Sequence, residues 1–199
     1  MDALVGSELN VFKPGMRRQS DARTTERNVY EWAEMMILMG GRSCVVSKLT
    51  KLSDAEVRSM YQRLLGRPSP SGQQPTDIKW YLKSPLLRLH SGLLVTIYSQ
   101  CAASLPPHAA FANAFYHYAR ATAATCDRQA WDEDPAFRNS EKDYVIPFSR
   151  GYFLTSYYTD ALDRHGARLC ELQMRRCKRC QAIFMTHVSE ASCLCPNCE

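Results

Sequence analysis

Two pairs of cysteines near the C-terminal end have the spacing that metal chemistry requires. Cys177-Lys-Arg-Cys180 and Cys195-Pro-Asn-Cys198 are C-x2-C turns separated by fourteen residues, 181 to 194, close to the spacing of four-cysteine zinc sites. Two residues between thiols let the chain curl so that both sulfurs face one ion, and the amides of the turn can support their negative charge. The intervening segment then brings the second pair round to complete a tetrahedron of soft sulfur ligands, a donor set that suits zinc. Cys177, Cys180, Cys195 and Cys198 are therefore the expected ligands of one Zn2+ per chain. Cys193 could stand in for Cys195, but Cys195 has the partner at the matching spacing. A redox dithiol and an iron–sulfur cluster are the competing chemistries.

Four thiolates leave zinc no open coordination position, so the site is expected to stabilise rather than catalyse. A module of about thirty residues has little core of its own, and the metal would supply much of its folding free energy. The chain carries nine cysteines, six of them between Cys170 and Cys198, with Cys44, Cys101 and Cys126 scattered. The odd count and the absence of an apolar leader point to a reducing compartment, where thiols bind metal or pack as small hydrophobes. No segment reaches the roughly 18 uninterrupted apolar residues of a membrane span; the longest candidate, 86–105, is broken by Arg88, His90, Ser91 and Gln100.

Enzymatic chemistry has no comparable foothold. His90, His108, His117, His165 and His187 form no H-x-x-x-H or H-E-x-x-H string, and there is no G-x-S-x-G, P-loop or dinucleotide fingerprint. The reading is that the protein is not an enzyme.

The elements that must carry the cysteines are helical. Hydrophobic content of 45% and charged content of 23% are those of a folded, water-soluble chain of 199 residues, long enough for one main domain and a small appendage. Residues 1–22 mix Gly, Pro, Ser, Lys and Arg without apolar period and read as a flexible basic arm bearing Lys13, Arg17 and Arg18. From Thr24, Val29, Trp32, Ala33, Met36, Ile37 and Met39 mark one helical face that stops at Gly40-Gly41. A short helix with Val45, Val46 and Leu49 follows, then a tight turn at Leu52. Ser53 and Glu56 form a capping box for the next helix, with Val57, Met60, Tyr61, Leu64 and Leu65 as its stripe and Gly66 as its stop.

Residues 66–77 are a loop by their Pro and Gly content. Helices are predicted from Ser84-Pro85 to Pro106-Pro107, from about His108 to Cys126, and from Ser149 to Asp163, where Tyr152, Phe153, Tyr157 and Tyr158 are read as core; His165-Gly166 closes the last. Residues 127–147 carry no clear signal. Short extended runs, with Leu169, Leu172 and Met174 before the first cysteine pair and Ile183, Phe184 and Met185 after it, flank that pair. The fold expected is mainly α: a helical domain, 23–166, with a helix-turn-helix-like pair, and a small zinc-ribbon-like module, 167–199.

The net charge of +5 and the isoelectric point near 8.7 favour a polyanionic partner. Two groups of cations could meet it. Lys51, Arg58 and Arg63 lie in the helix pair, where the second helix could enter a DNA major groove. Arg175, Arg176, Lys178 and Arg179 surround the first cysteine turn, where a metal-pinned loop would present them to phosphates. In both places a merely solvated basic face is the competing reading.

Two blocks together resemble the FlhC family, a subunit of the bacterial flagellar master transcription activator. They are LTKLSDAEVRSMYQRLLGRPSPSG, residues 49–72, and CKRCQAIFMTH, residues 177–187, followed by CPNC. The resemblance covers roughly residues 27–198. It implies a mostly helical, cytoplasmic, DNA-binding activator of flagellar and motility promoters that works as a hetero-oligomer with an FlhD-like subunit, recruits RNA polymerase, and uses Cys177, Cys180, Cys195 and Cys198 as zinc ligands. The chain departs from the family in a longer N-terminal arm, in a stretched string Thr76-Asp77-Ile78-Lys79-Trp80, and in ending one residue after the last ligand. The rival functions are a zinc-stapled protein-interaction adaptor and a paralogous regulator of non-flagellar genes.

Overall fold

The first helix ends where two glycines remove the steric limits on the chain. In the computed structural model, which describes residues 22–122, 144–165 and 170–199, α1 spans Ala22–Leu38 and buries Trp32, Ala33, Met36 and Ile37. Gly40 then takes φ 86. At Gly41 a Cβ would lie 2.7 Å from the Met36 carbonyl oxygen and 2.8 Å from the Phe148 ring. The chain therefore turns directly onto the core. The expected arm up to residue 21, most of 127–147, the segment 123–126 expected to end a helix, and the junction at 166–169 with Leu169 lie outside the described residues.

Helix α2 (Ser43–Thr50) has no side-chain cap from its own N-cap residue, Arg42. Its first amide instead donates to Ser69 Oγ at 2.9 Å, so the Pro-rich loop 66–77 folds back and caps it. The helix ends at Lys51, which adopts φ 64. Helix α3 (Asp54–Leu65) opens on the expected capping box: the Glu56 amide donates to Ser53 Oγ, and the Ser53 amide donates to the Glu56 carboxylate at 2.8 Å. It closes on Gly66 at φ 64. Val45, Val46, Val57, Met60 and Tyr61 join the core of α1, and the Tyr61 hydroxyl donates to the Gly41 carbonyl. The helix-turn-helix-like pair is thus part of a three-helix unit.

A 3-10 helix, Ile78–Leu82, follows the loop and is started by the Asp77 side chain. No apolar period marks it in the sequence. Tyr81 is buried, donates to the Arg150 carbonyl at 2.7 Å, and is pushed up in pKa chiefly by that burial. Helix α4 (Pro85–Ala102) begins at the expected Ser84-Pro85 pair, Ser84 Oγ accepting from the Leu87 amide. Helix α5 (Pro107–Thr122) is buried along most of its length. Its alanines let neighbours approach closely, and Phe111 and Phe115 pack edge-on against Phe148 at 5.0 and 4.8 Å. Helix α6 (Phe148–His165) follows, and Tyr152, Phe153, Tyr157 and Tyr158 are half-buried against the core, as expected.

Strands β1 (Leu172–Arg176) and β2 (Ile183–His187) form an antiparallel hairpin in which Leu172 faces His187 and Arg176 faces Ile183. Leu172 and Met185 reach the main helical core, while Phe184 belongs to a second, smaller cluster with Cys177 and Cys195. Among the described residues, no helix is long and apolar enough to cross a membrane.

Candidate metal centre and basic rim

Each cysteine pair sits on a tight turn fixed by its own backbone. In the first, the Gln181 amide donates to the Cys177 carbonyl at 3.0 Å, and Gln181 itself adopts φ 64. The Cys177 amide donates to the Ala182 carbonyl at 2.9 Å, closing the hairpin end. In the second, the Cys198 and Glu199 amides both donate to the Cys195 carbonyl, at 2.8 and 3.1 Å. The Lys178 amide donates to the Cys193 carbonyl at 3.0 Å and joins one turn to the other.

These bonds bring the sulfurs of Cys177, Cys180, Cys195 and Cys198 within 4.8 Å of one another, with Cys180 and Cys195 at 3.5 Å. A tetrahedron with metal–sulfur bonds of about 2.3 Å has edges of roughly 3.8 Å, so the four thiols fit a zinc-sized ion. Cys177 and Cys195 are buried on Phe184, with Leu89 and Leu194 beside them, while Cys180 is exposed. Cys193 points away, its thiol directed at the Ala191 carbonyl at 3.8 Å.

The electrostatics favour a cation. The Cys180 amide donates to the Cys177 sulfur and holds that thiol well below its ordinary range, with the Cys195 and Arg179 amides adding to it. Cys198 is pushed up, first by its contact with the Cys180 sulfur and then by Cys195. Four close sulfurs cannot all ionise alone, and a divalent ion removes that conflict. Cys101 and Cys170 are pushed up by burial and lie apart from the cluster, as does exposed Cys44. His90 is buried against the Tyr118 hydroxyl at 2.9 Å.

Helix α4 holds the centre in place through residues four apart. Arg88 donates through Nε to the Met185 carbonyl at 3.1 Å and through Nη2 to Thr186 Oγ1 at 3.1 Å and Glu190 Oε1 at 2.8 Å. Its side chain is 13% exposed and lies over the Phe184 ring. The Thr186 hydroxyl and then Arg88 hold the Glu190 carboxyl below its usual range. One turn on, a Cβ at Gly92 would lie 2.8 Å from Phe184 Cα and 2.9 Å from the Ile183 oxygen. Thr96 completes the row, its hydroxyl 3.9 Å from Met174 Sδ. In the sequence Arg88 registers only as an interruption of an apolar stretch. The usable signal is that a charged, a glycine and a hydroxyl residue recur at the helical spacing of four.

The expected basic residues fall into two sets. Arg176, Lys178 and Arg179 are exposed at the end of β1 and on the first cysteine turn. Arg175 is half-buried and donates to the Ser192 carbonyl at 2.7 Å, bracing the segment that leads to the second turn. Lys51 and Arg58 are exposed at the α2–α3 junction and along α3. Arg63 pairs with Glu34 of α1.

The sequence model of the family described as FlhC, flagellar transcriptional activator, matches residues 18–199. The chain is also similar to a flagellar transcriptional regulator FlhC of Cupriavidus pinatubonensis, at 27% identity over 169 residues, which is 82% of this chain and 68% of that protein.

Proposed function

Because this chain belongs to the FlhC family of flagellar transcriptional activators, we propose that it is a DNA-binding activator subunit whose C-terminal module is held by one zinc ion. In this reading residues 23–166 form the helical body and 167–199 the metal module. Cys177, Cys180, Cys195 and Cys198 are the ligands, and zinc on four thiolates supplies folding stability without an open position for chemistry. The protein acts in the bacterial cytoplasm, with an FlhD-like partner subunit and RNA polymerase, on flagellar promoters.

The observation that carries this reading is the span of the family match, which takes in both the helix pair and the cysteine cluster. The chain's own residues supply the physical means. Arg176, Lys178 and Arg179 ride on a turn whose backbone the metal would lock, so their charge meets phosphates without a further cost of ordering the backbone. Arg175 contributes by bracing that turn. Lys51 and Arg58 offer a second set of cations at the helix pair.

Titration of flagellar promoter duplex with the zinc-loaded chain and its partner subunit tests the reading. Binding should be tight at low salt and fall steeply as salt rises. Partner binding without any duplex binding would favour the adaptor reading instead.

A further inference from the structure

Helix α3 has an outward face whose chemistry differs from that of the zinc turn. Helix α2 has eight residues, the next residue is Lys51 at φ 64, and α3 starts directly after Ser53. Such a short connection, with α1 packed behind both helices, is what lets the second helix of a pair stand forward into a major groove.

The side chains of α3 then divide by angle around its axis. Val57, Met60 and Tyr61 are buried, with Leu64 and Leu65 half-buried beside them. On the flank nearest α1, Glu56 accepts from the Tyr30 hydroxyl at 2.6 Å and Arg63 pairs with Glu34. Both charges thus have partners on α1, although the Arg63 side chain stays 63% exposed. What remains outward is Ala55, Ser59 and Gln62, at the spacing of one helical face, with Arg58 and then Asp54 on one flank, all exposed.

Resting on the DNA-binding reading above, we propose that Arg58, Ser59, Gln62 and the Ala55 methyl group read base edges in the major groove of duplex DNA. The Gln62 amide carries the donor and acceptor that match adenine, and the Arg58 guanidinium carries the paired donors that match guanine. The Ser59 hydroxyl serves either base, and the Ala55 methyl suits the thymine methyl. A phosphate offers only acceptors, whereas the Gln62 amide carries an acceptor beside its donors and can engage a base edge at two points. Charge around the face suits duplex DNA: residues 42–67 hold six basic side chains, Arg42, Lys48, Lys51, Arg58, Arg63 and Arg67, against two acidic ones, Asp54 and Glu56. Ser59 and Gln62 join Arg58 as candidates for sequence reading, while Arg63, paired with Glu34, stands at the edge of the face.

The test is selection of bound sequences from a randomised duplex pool by the zinc-loaded full chain with its partner subunit. Wild type is compared with Gln62→Ala, Ser59→Ala and their double variant; both positions are exposed and alanine is the best helix former, so α3 stays folded in all three. For Gln62→Ala, the preference at one base pair should relax and affinity for the wild-type site should fall about 5- to 150-fold. Affinity for unrelated duplex and its salt dependence should stay as in wild type. An unchanged selected sequence and unchanged affinity in the double variant would overturn this inference while leaving the DNA-binding reading intact. A wild-type complex that binds no duplex at all would overturn both.

Discussion

Arg88 is the side chain on which the hairpin hangs. It is nearly out of solvent and spends its donors on a β2 carbonyl, a threonine and a carboxylate, so truncation leaves three acceptors short at once. Arg88→Ala should cost about 2 kcal/mol in denaturant unfolding, and amide exchange along β2 should accelerate first. Arg88→Lys should recover little, because one ammonium cannot reproduce the fork. At the other end of the molecule, the Ser53–Glu56 box makes a pH-dependent contribution. Hydrogen bonds from Ser53, and then from Tyr30, hold the Glu56 carboxyl at about 2 instead of 4.5. A depressed carboxylate stabilises the fold above its unfolded value, and that stability is lost as pH falls from about 4.5 towards 2. Loss of the cap oxygen in Ser53→Ala should cost about 1 kcal/mol at neutral pH. The gap between variant and wild type should narrow in acid, as thermal melts at pH 7 and pH 3 would register.

Between elements, the decisive contact is the approach of β2 to α4 at Gly92. Both atoms that a Cβ would strike belong to the β2 backbone, so no rotamer change can relieve the clash and the strand itself must move. Gly92→Ala should therefore lower stability by about 1–3 kcal/mol, read by thermal unfolding, despite the better helix propensity of alanine. Gly66 gives the contrast: a side chain there meets nothing within 4 Å, yet φ is 64, so the cost of Gly66→Ala is backbone strain alone. The difference between these glycines explains what was legible in the sequence. Gly66, the capping box, the Ser84-Pro85 start and both C-x2-C turns are local signals, complete within a few residues, and each is where the sequence put it. The Arg88–Glu190 bond, the Gly92–Phe184 contact and the Ser69 cap on α2 join residues far apart in the chain, and no local period encodes them. The 3-10 helix at Ile78–Leu82 has one local signal, the Asp77 cap, but Tyr81 is also held by the distant Arg150 carbonyl, which no local pattern encodes. The expected role of Arg63 rests on its charge and its place on the second helix of the pair; its pairing with Glu34, far off in the chain, is another contact that no local pattern encodes.

Across the molecule, the thiol cluster and the helical core share strand β2. Leu172 and Met185 lie in the main core while Phe184, between Met185 and the cysteines, lines the thiol cluster. Stripping the metal should therefore do more than fray an end: the rigid display of Arg176, Lys178 and Arg179 should be lost along with the packing of β2 on α4. With metal bound, Lys178→Gln with Arg179→Gln should weaken DNA binding at low salt and flatten the plot of log affinity against log salt by nearly 2, if each cation meets one phosphate. An unchanged slope would remove the cysteine turn from the DNA interface. All of this depends on the four sulfurs holding an ion. The most direct measurement is the metal content, by mass spectrometry, of the chain purified without added metal, beside a Cys177→Ser, Cys198→Ser variant. One zinc per wild-type chain and none in the variant is the expected result; a wild-type chain that is well folded and free of zinc would overturn the zinc centre.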